Sequence, residues 1–193
     1  MGLDISSITI GICLLSYDDS NIALDHVSYY KPTKRGNLFE RLAKVRQYIQ
    51  DKIDDLEPDC VTIEDIVLYM KKKSSANTVV TLAILNRIIG LTVFDKLNNP
   101  PYLYNAMRVR HAIKSGKTLP SKQEIPELVA SILNIKFPYV KNRNGDNAKE
   151  NEDMADAIAC ALCHIFMDRQ GKAEQLQIKK KKKRKRKKKN ESS

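Results

Sequence analysis

The segment "ITIGICLLSYDDSNIALDHVSYY", residues 8–30, holds two runs rich in β-branched and aromatic residues on either side of the turn sequence DDS. This pattern predicts an antiparallel β-hairpin, and a short strand over residues 3–5 is expected to precede it. The next segment begins with Asn37-x-x-Glu40 and then repeats apolar residues at helical spacing as far as Leu56. The Asn-x-x-Glu start is typical of a capping box, so an amphipathic helix is predicted after the hairpin.

The remaining elements alternate between strands and helices. A buried strand that ends in VTIED leads into a loop over residues 65–75 and then into a helix over residues 76–97 that is apolar around most of its circumference. After them come a strand at 101–105, short helices at 106–114 and 122–135, the polar loop KNRNGDNAKEN, and a last helix containing NEDMADAIACALCH at 151–164. This order predicts an α/β protein with a five-stranded mixed sheet, three antiparallel strands first and parallel strands after them, flanked by helices. It is the element order of the ribonuclease H-like fold.

Basic charge is concentrated in one run near the C-terminus. Of the 34 Lys and Arg residues, eleven form KKKKKRKRKKK at residues 179–189, and without this run and Glu191 there are 23 basic and 22 acidic residues. We therefore expect a nearly neutral folded domain over residues 1–169 and a disordered basic tail over residues 170–193. Such a tail favours nucleic acid over anionic lipid, because no aromatic or leucine residue interrupts the run. A solubilising segment and a nuclear-import signal are the alternatives.

Four cysteines come without a signal peptide, which predicts an intracellular, reducing location: Cys13, Cys60, Cys160 and Cys163. That location is the cytoplasm for a prokaryotic or phage protein and the nucleus if the tail is an import signal. The pair Cys160 and Cys163 lies in a helical pattern with no two further ligands nearby, so buried packing is favoured over zinc binding.

The longest apolar segment, residues 79–94, is short for a membrane span and is interrupted by Asn86 and Arg87. No membrane helix is predicted.

Four carboxylates fall at the boundaries of predicted elements: Asp4 on the first strand, Glu64 at the end of the fourth, and Asp153 and Asp156 near the start of the last helix. In a sheet of this order the first and fourth strands are neighbours, and a helix packed across them would bring all four carboxylates together. The two helix aspartates are about 60° apart around the axis, so both can point at one place. Clustered carboxylates repel one another unless cations neutralise them, and Mg²⁺ takes oxygen ligands. The set predicts a metal site suited to phosphodiester hydrolysis.

The helix aspartates also have a simpler interpretation when they are considered alone. Acidic residues near a helix N-terminus interact favourably with the helix dipole, and Asn151 is a suitable N-cap, so Asp153 and Asp156 would then be solvated. The positions of Asp4 and Glu64 favour the metal site instead. On the same helix, Cys160, Cys163 and His164 are interpreted as structural.

Three segments resemble the active-site segments of RuvC-type Holliday junction resolvases, within the ribonuclease H-like, retroviral integrase-like nucleases: GLDISSITIG, VTIEDI and DMADAIACALCH. The resemblance runs from residue 2 to about residue 166 and implies a Mg²⁺-dependent crossover junction endodeoxyribonuclease acting in DNA recombination and repair. It implies that Asp4, Glu64, Asp153 and Asp156 hold the metal, with two ions per subunit and Mn²⁺ able to substitute. It also implies a homodimer, whose interface the helix at 76–97 could supply.

The resemblance further implies which residues contact branched DNA. The segment YNAMRVRHAIKSGKTLPSK looks like the family's basic segment after the fifth strand, with Arg110 and Lys122 in the basic positions and Lys117 as a nearby substitute. In the loop after the fourth strand, Tyr69 is the candidate for an aromatic wedge, and Leu68 competes with it. The remaining DNA contacts expected in that loop are Lys71, Lys72 and Lys73.

One departure concerns the first motif. The family usually has Pro-Gly after the aspartate, whereas Ile5 and Ser6 follow Asp4 in this chain. We therefore expect a differently shaped turn at this position.

Two other functions are compatible with these features. A nuclease of the same fold could act on RNA or flap structures, and the carboxylates do not distinguish such substrates. A non-catalytic nucleic-acid-binding protein could use the fold and the tail. The four acidic residues count against this last alternative, because negative charge beside a phosphate weakens binding.

Overall fold

The computed structural model describes residues 1–66 and 76–173. Its elements follow the predicted order and confirm the predicted fold class, with boundaries that differ by a few residues. The strands are β1 (Gly2–Ile5), β2 (Ile10–Tyr17), β3 (Ile22–Tyr30), β4 (Thr62–Asp65) and β5 (Tyr102–Asn105). The helices are α1 (Leu38–Leu56), α2 (Ala76–Leu97), α3 (Ala106–Ile113), α4 (Ile125–Leu133) and α5 (Glu150–Arg169), with a 3-10 turn at Lys122–Glu124.

The five strands form one mixed sheet in the order β3-β2-β1-β4-β5. Strands β1, β2 and β3 pair antiparallel, whereas β1, β4 and β5 pair parallel. Leu3 of β1 pairs in parallel with Ile63 of β4. The residues that follow them, Asp4 and Glu64, therefore occupy matching positions on neighbouring strands. On its other side, Asp4 pairs with Gly11 of β2. The register therefore places two of the predicted carboxylates side by side near the C-terminal ends of β1 and β4.

Two hydrophobic cores lie on the two faces of the sheet. Helices α1 and α2 cover one face, and α3, α4 and α5 cover the other. Helix α5 is buried around its whole circumference along most of its length, because it is packed between the sheet and the two shorter helices. Its small side chains allow this close approach. They are Ala155, Ala157, Ala159 and Ala161.

Helix α2 has one packed face and one exposed apolar face. Leu85, Ile89 and Val93 are buried against α1 and the sheet, whereas Leu91 and Phe94 are 56% and 46% exposed. By length and composition α2 is apolar enough to cross a membrane, a test that the core helix of a soluble protein also passes. Its inner face belongs to the core of the described chain, and its outer face is left without a partner in that part of the chain.

The start of α5 differs from the sequence-based interpretation. The helix begins at Glu150, so Asn151 lies in its first turn and is not the N-cap. The Asn151 side chain accepts the Val140 N–H at 2.8 Å and donates to the carbonyls of Val140 and Ala148 at 2.9 and 2.8 Å. The cap interpretation is wrong because the backbone of the preceding polar loop binds this side chain. The loop is thereby fastened to α5.

The described chain continues beyond the predicted domain boundary at residue 169. The N–H groups of Gly171 and Lys172 donate to the carbonyls of Asp168 and Met167, and Ala173 is buried. The basic run lies outside the described residues, as do the five DNA-contact candidates of the loop after β4. These five are Leu68, Tyr69, Lys71, Lys72 and Lys73.

Candidate active site

Two neighbouring strands and one helix bring the four predicted carboxylates together. Asp4 lies on β1, Glu64 lies on β4, and Asp153 and Asp156 lie in the first two turns of α5. The side chains of Asp4 and Thr9 lie close enough to Asp153 to offset part of the rise in its pKa. Burial raises the pKa of Asp4 well above its ordinary value, and the negative charges of the other three carboxylates raise it further. The four side chains therefore interact as one cluster.

The other three carboxylates also bind protons more tightly than exposed carboxylates do. Burial, followed by the charge of Asp156, raises the pKa of Glu64 to about 7. Burial is also the main cause of the raised pKa values of Asp153 and Asp156. Asp156 is only 8% exposed, so the solvated-acid interpretation is wrong for this residue. A bound cation would relieve the repulsion that resists ionisation of the cluster.

Two glycines let α5 lie directly on the sheet. A Cβ atom at Gly11 would overlap the carbonyl oxygen of Asp153, and one at Gly2 would overlap the carbonyl oxygen of Ala157. Gly11 also pairs with Asp4 across β1 and β2. The absence of a side chain at residue 11 therefore sets the separation between the strand that carries Asp4 and the helix that carries Asp153.

Ser6 builds the turn that follows Asp4. Its hydroxyl donates to the Thr9 carbonyl at 2.7 Å and accepts the Thr9 N–H at 2.9 Å. Thr9 is buried, and its side chain lies close enough to Asp153 to lower the pKa of that carboxyl. The Ile5-Ser6 sequence thus holds Thr9 where it can orient an aspartate of the cluster.

The basic segment after β5 reaches the carboxylates through two of its three predicted positions. Lys122 Nζ lies 3.3 Å from Asp156 Oδ2. Arg110 is near enough that its charge lowers the pKa values of both Glu64 and Asp156. Lys117 is exposed on the intervening loop, and no ion pair joins it to a carboxylate in the described residues.

Asn86 and Arg87 interrupt the apolar surface of α2 and hydrogen bond with the end of β4. Asn86 is 1% exposed, and its Nδ2 donates to the Glu64 carbonyl at 3.2 Å. Arg87 donates to the Asn86 side chain at 3.1 Å and to Asp65 at 3.3 Å. Sequence reasoning missed both residues as positioning residues. The available signal was a polar pair in the middle of an apolar helix that must pack against a strand.

The second half of α5 carries polar groups of another kind. His164 Nδ1 hydrogen bonds with the Tyr104 hydroxyl at 2.9 Å, and His164 Nε2 lies 3.5 Å from Cys60 Sγ. Burial lowers the pKa of His164 and raises those of Cys160 and Cys163. These groups pack in the core, in agreement with their interpretation as structural residues.

The cluster offers only oxygen donors, which is the chemistry that Mg²⁺ and Mn²⁺ select. In residues 1–66 and 76–173, no three acidic, cysteine or histidine side chains are already arranged as a set of metal ligands. Asp156 is paired with Lys122 instead. The donor types and the mutual repulsion fit a divalent cation, and the pairing with Lys122 supplies part of the positive charge that such an ion would bring.

The sequence model of one protein family, Crossover junction endodeoxyribonuclease RuvC, matches residues 1–164. The chain belongs to the RuvC family. The RuvC of Ehrlichia ruminantium (strain Gardel) is 28% identical over 169 residues, which cover 86% of this chain and 95% of that relative. The RuvC of Finegoldia magna is 26% identical over 171 residues, with coverages of 86% and 92%.

Solved structures show the same fold. The structure of Thermus thermophilus RuvC in complex with Holliday junction substrate superimposes with a TM-score of 0.68 at 19% identity, covering 89% of this chain and 95% of that chain. The yeast mitochondrial Holliday junction resolvase gives a TM-score of 0.51 at 16% identity, covering 90% and 79%. The RuvC-family fold therefore extends over the part of the chain that carries all four carboxylates.

Proposed function

We propose that this RuvC-family protein is a structure-selective endonuclease that resolves four-way DNA junctions by metal-dependent hydrolysis of two symmetrically placed phosphodiesters. The observation that carries the proposal is the convergence of four carboxylates at the C-terminal ends of β1 and β4. They are Asp4, Glu64, Asp153 and Asp156. A protein that only bound nucleic acid would gain nothing from four partly buried carboxylates beside a phosphate backbone.

The four carboxylates would hold two Mg²⁺ ions, for which Mn²⁺ can substitute. Bound divalent cations lower the pKa of water and stabilise negative charge on the attacking and leaving oxygens. The chain contributes the position of each ligand: β1 and β4 fix Asp4 and Glu64 through their pairing, and α5 fixes the aspartates through its contact with Gly11. Arg110 and Lys122 provide positive charge beside the cluster for a phosphate of the cut strand.

A homodimer through α2 would supply the two sites that symmetric cutting needs. The outer face of α2 exposes Val80, Leu91 and Phe94, an apolar surface of the kind that subunit interfaces cover. We propose a second copy of this chain as its occupant. Phe94→Asp should then convert a dimer to a monomer in sedimentation analysis, and an unchanged mass would contradict this interface.

The basic run at residues 179–189 would add affinity without selecting the junction. Eleven cations fully engaged with phosphates would give a slope of log affinity against log salt of about −10, and a tail engages fewer of them. We propose an intracellular location. It would be the nucleus where this run serves as an import signal, and otherwise the cytoplasm of a prokaryotic or phage-infected cell.

The deciding assay compares three substrates, with and without Mg²⁺. Purified protein is incubated with a mobile four-way DNA junction, a linear duplex of the same sequence and an RNA hairpin. We expect cutting of the junction alone, in Mg²⁺, as paired nicks on opposite strands. Cutting of the RNA would instead support the alternative of an RNA nuclease, and binding without cutting would support a non-catalytic protein.

A further inference from the structure

Lys122 occupies a fixed backbone position beside the carboxylates. It opens the 3-10 turn Lys122–Glu124, and the preceding residue is held by two hydrogen bonds: the Ser121 N–H and hydroxyl donate to Glu124 Oε2 at 2.6 and 2.7 Å. From this anchored turn, the Lys122 side chain extends to Asp156, at 3.3 Å. Its backbone is held in place, whereas its ammonium ends a long side chain that can rotate.

The ammonium affects the whole cluster. Its positive charge lowers the pKa values of all four carboxylates, those of Asp4, Glu64, Asp153 and Asp156. The charge of Arg110 lowers the pKa values of Glu64 and Asp156. The Lys122 side chain is nevertheless 53% exposed, whereas that of Asp156 is 11% exposed. One lysine thus supplies positive charge to a buried acidic cluster while keeping an open path to solvent.

We propose that Lys122 is the counter-ion of the four-carboxylate cluster in the metal-free protein, and that a divalent cation displaces its ammonium from Asp156 and frees it to contact a phosphate of the bound strand. The second half of this inference rests on the proposed function; the first half does not. A divalent ion carries twice the charge and takes several oxygen ligands, whereas the ammonium makes one ion pair with Asp156. Metal and lysine therefore compete for Asp156.

Competition has a thermodynamic consequence. Removing the lysine removes the competitor, so the metal should bind more tightly, and the metal-free cluster should lose its main compensating charge. Metal binding also makes the Lys122 ammonium available to another anion. A lysine released from Asp156 stays tethered beside the site and adds a positive charge on the side from which DNA must approach.

The first test uses the metal alone, without DNA. Mg²⁺ and Mn²⁺ binding is measured by calorimetry for the wild type, Lys122→Gln, Lys122→Arg and the matched control Lys136→Gln, which removes an exposed lysine that forms no ion pair with the cluster in the described residues. We expect Lys122→Gln to bind the metal about tenfold more tightly, Lys122→Arg to bind it no more tightly than the wild type, and Lys136→Gln to match the wild type. Equal affinities in Lys122→Gln and wild type overturn the proposal.

The second test follows the Lys122 ammonium directly in the wild-type protein. The lysine ammonium signals of nitrogen-15-labelled wild-type protein are followed by NMR during Mg²⁺ titration, with Lys122→Arg used to assign the Lys122 signal. We expect this signal to have the chemical shift of an ion-paired ammonium without metal and to move to that of a solvated lysine on saturation. A signal unaffected by saturating Mg²⁺ overturns the displacement.

The release onto DNA is tested separately. Junction binding is measured in EDTA and in Ca²⁺, another cation that takes oxygen ligands, and gels verify that the junction is uncut. We expect Ca²⁺ to strengthen junction binding by wild type and Lys136→Gln several-fold more than binding by Lys122→Gln. An equal gain in all three proteins overturns the release step, whereas lack of cutting in Mg²⁺ would count against the proposed function alone.

Discussion

The two halves of α5 differ in how their polar groups are balanced. In the first half, Asp153 and Asp156 share a cluster with two further carboxylates, and only Lys122 forms an ion pair with that cluster in the described residues. In the second half, His164 is bonded to Tyr104 and lies against the ring of Tyr102, with ring centres 4.2 Å apart. Repulsion that the folded chain compensates only in part marks the half for which we propose an external cation. The satisfied network marks the half that holds the fold together.

The largest expected effect comes from the carboxylate cluster to which the first half of α5 belongs. Glu64→Gln should reduce junction cleavage by roughly 10³-fold or more, because a carboxamide no longer supplies negative charge to a cation. Junction affinity should change by less than about threefold, since the shape is kept. Cleavage rates and binding isotherms measure the two effects. His164→Gln is the contrasting variant and should retain most of the cleavage below its melting temperature. Loss of binding in Glu64→Gln would indicate that this residue is structural.

A methyl group under α5 tests how tightly the first half of this helix is seated on the sheet. Gly11→Ala should lower cleavage about 100-fold, because the helix must move off the sheet and carry Asp153 with it. Overpacking should also cost about 1–3 kcal/mol of unfolding free energy, measured by urea denaturation. Gly116→Ala is the matched control, since a Cβ there meets nothing within 4 Å. Wild-type cleavage by Gly11→Ala would mean that the sheet adjusts without moving the helix.

A smaller effect is expected where α2 supports the cluster. Asn86→Leu keeps the size of the side chain but removes its hydrogen bond to the Glu64 carbonyl. Cleavage should fall about tenfold through misplacement of Glu64, with a loss of about 1–3 kcal/mol from the unpaired carbonyl. Thr92→Val is the control on the same helix, because the Thr92 hydroxyl donates only to the Ile88 carbonyl of its own helix. If both variants cleave at equal rates, Asn86 does not position Glu64.

The smallest expected effect is on the pH dependence of folding stability in the metal-free protein. The folded pKa of Glu64, about 7, lies above its ordinary value of 4.5, so this residue makes the fold more stable as the pH falls from about 7 to 4.5. The folded pKa of His164 lies below its ordinary value of 6.5, so this residue makes the fold less stable as the pH falls below 6.5.

Melting temperatures in EDTA, measured between pH 8 and pH 5, separate these two contributions. Glu64→Gln should remove a gain on acidification, and His164→Gln should remove a loss. Curves that shift in the same direction for both variants would show that the two halves of α5 do not differ as described.

Much of the fold and the convergence of the four acidic residues could be predicted from the sequence. The hairpin, the capping box at Asn37 and the apolar periodicities are local signals, and the order of strands then fixes β1 and β4 as neighbours. The roles of Asn86 and Gly11 could not be predicted in this way. The polar pair in an apolar helix marks Asn86 as unusual, but the group that its side chain binds depends on the contact of one element with the backbone of another, as does the close approach at Gly11. The N-cap interpretation of Asn151 failed for the same reason, since a loop eleven residues away binds its side chain.

The close seating of α5 on Gly2 and Gly11 has a consequence for the dynamics of the protein. The backbone of α5 and of β1 should be among the last to exchange amide hydrogens with solvent, because opening it requires separating the most buried helix from the sheet. Asp4, Asp153 and Asp156 thus lie on the part of the molecule least able to open locally. Control of the reaction by motion is then expected at the side chain of Lys122, which can rotate on its anchored turn and carries the cation that the cluster already holds.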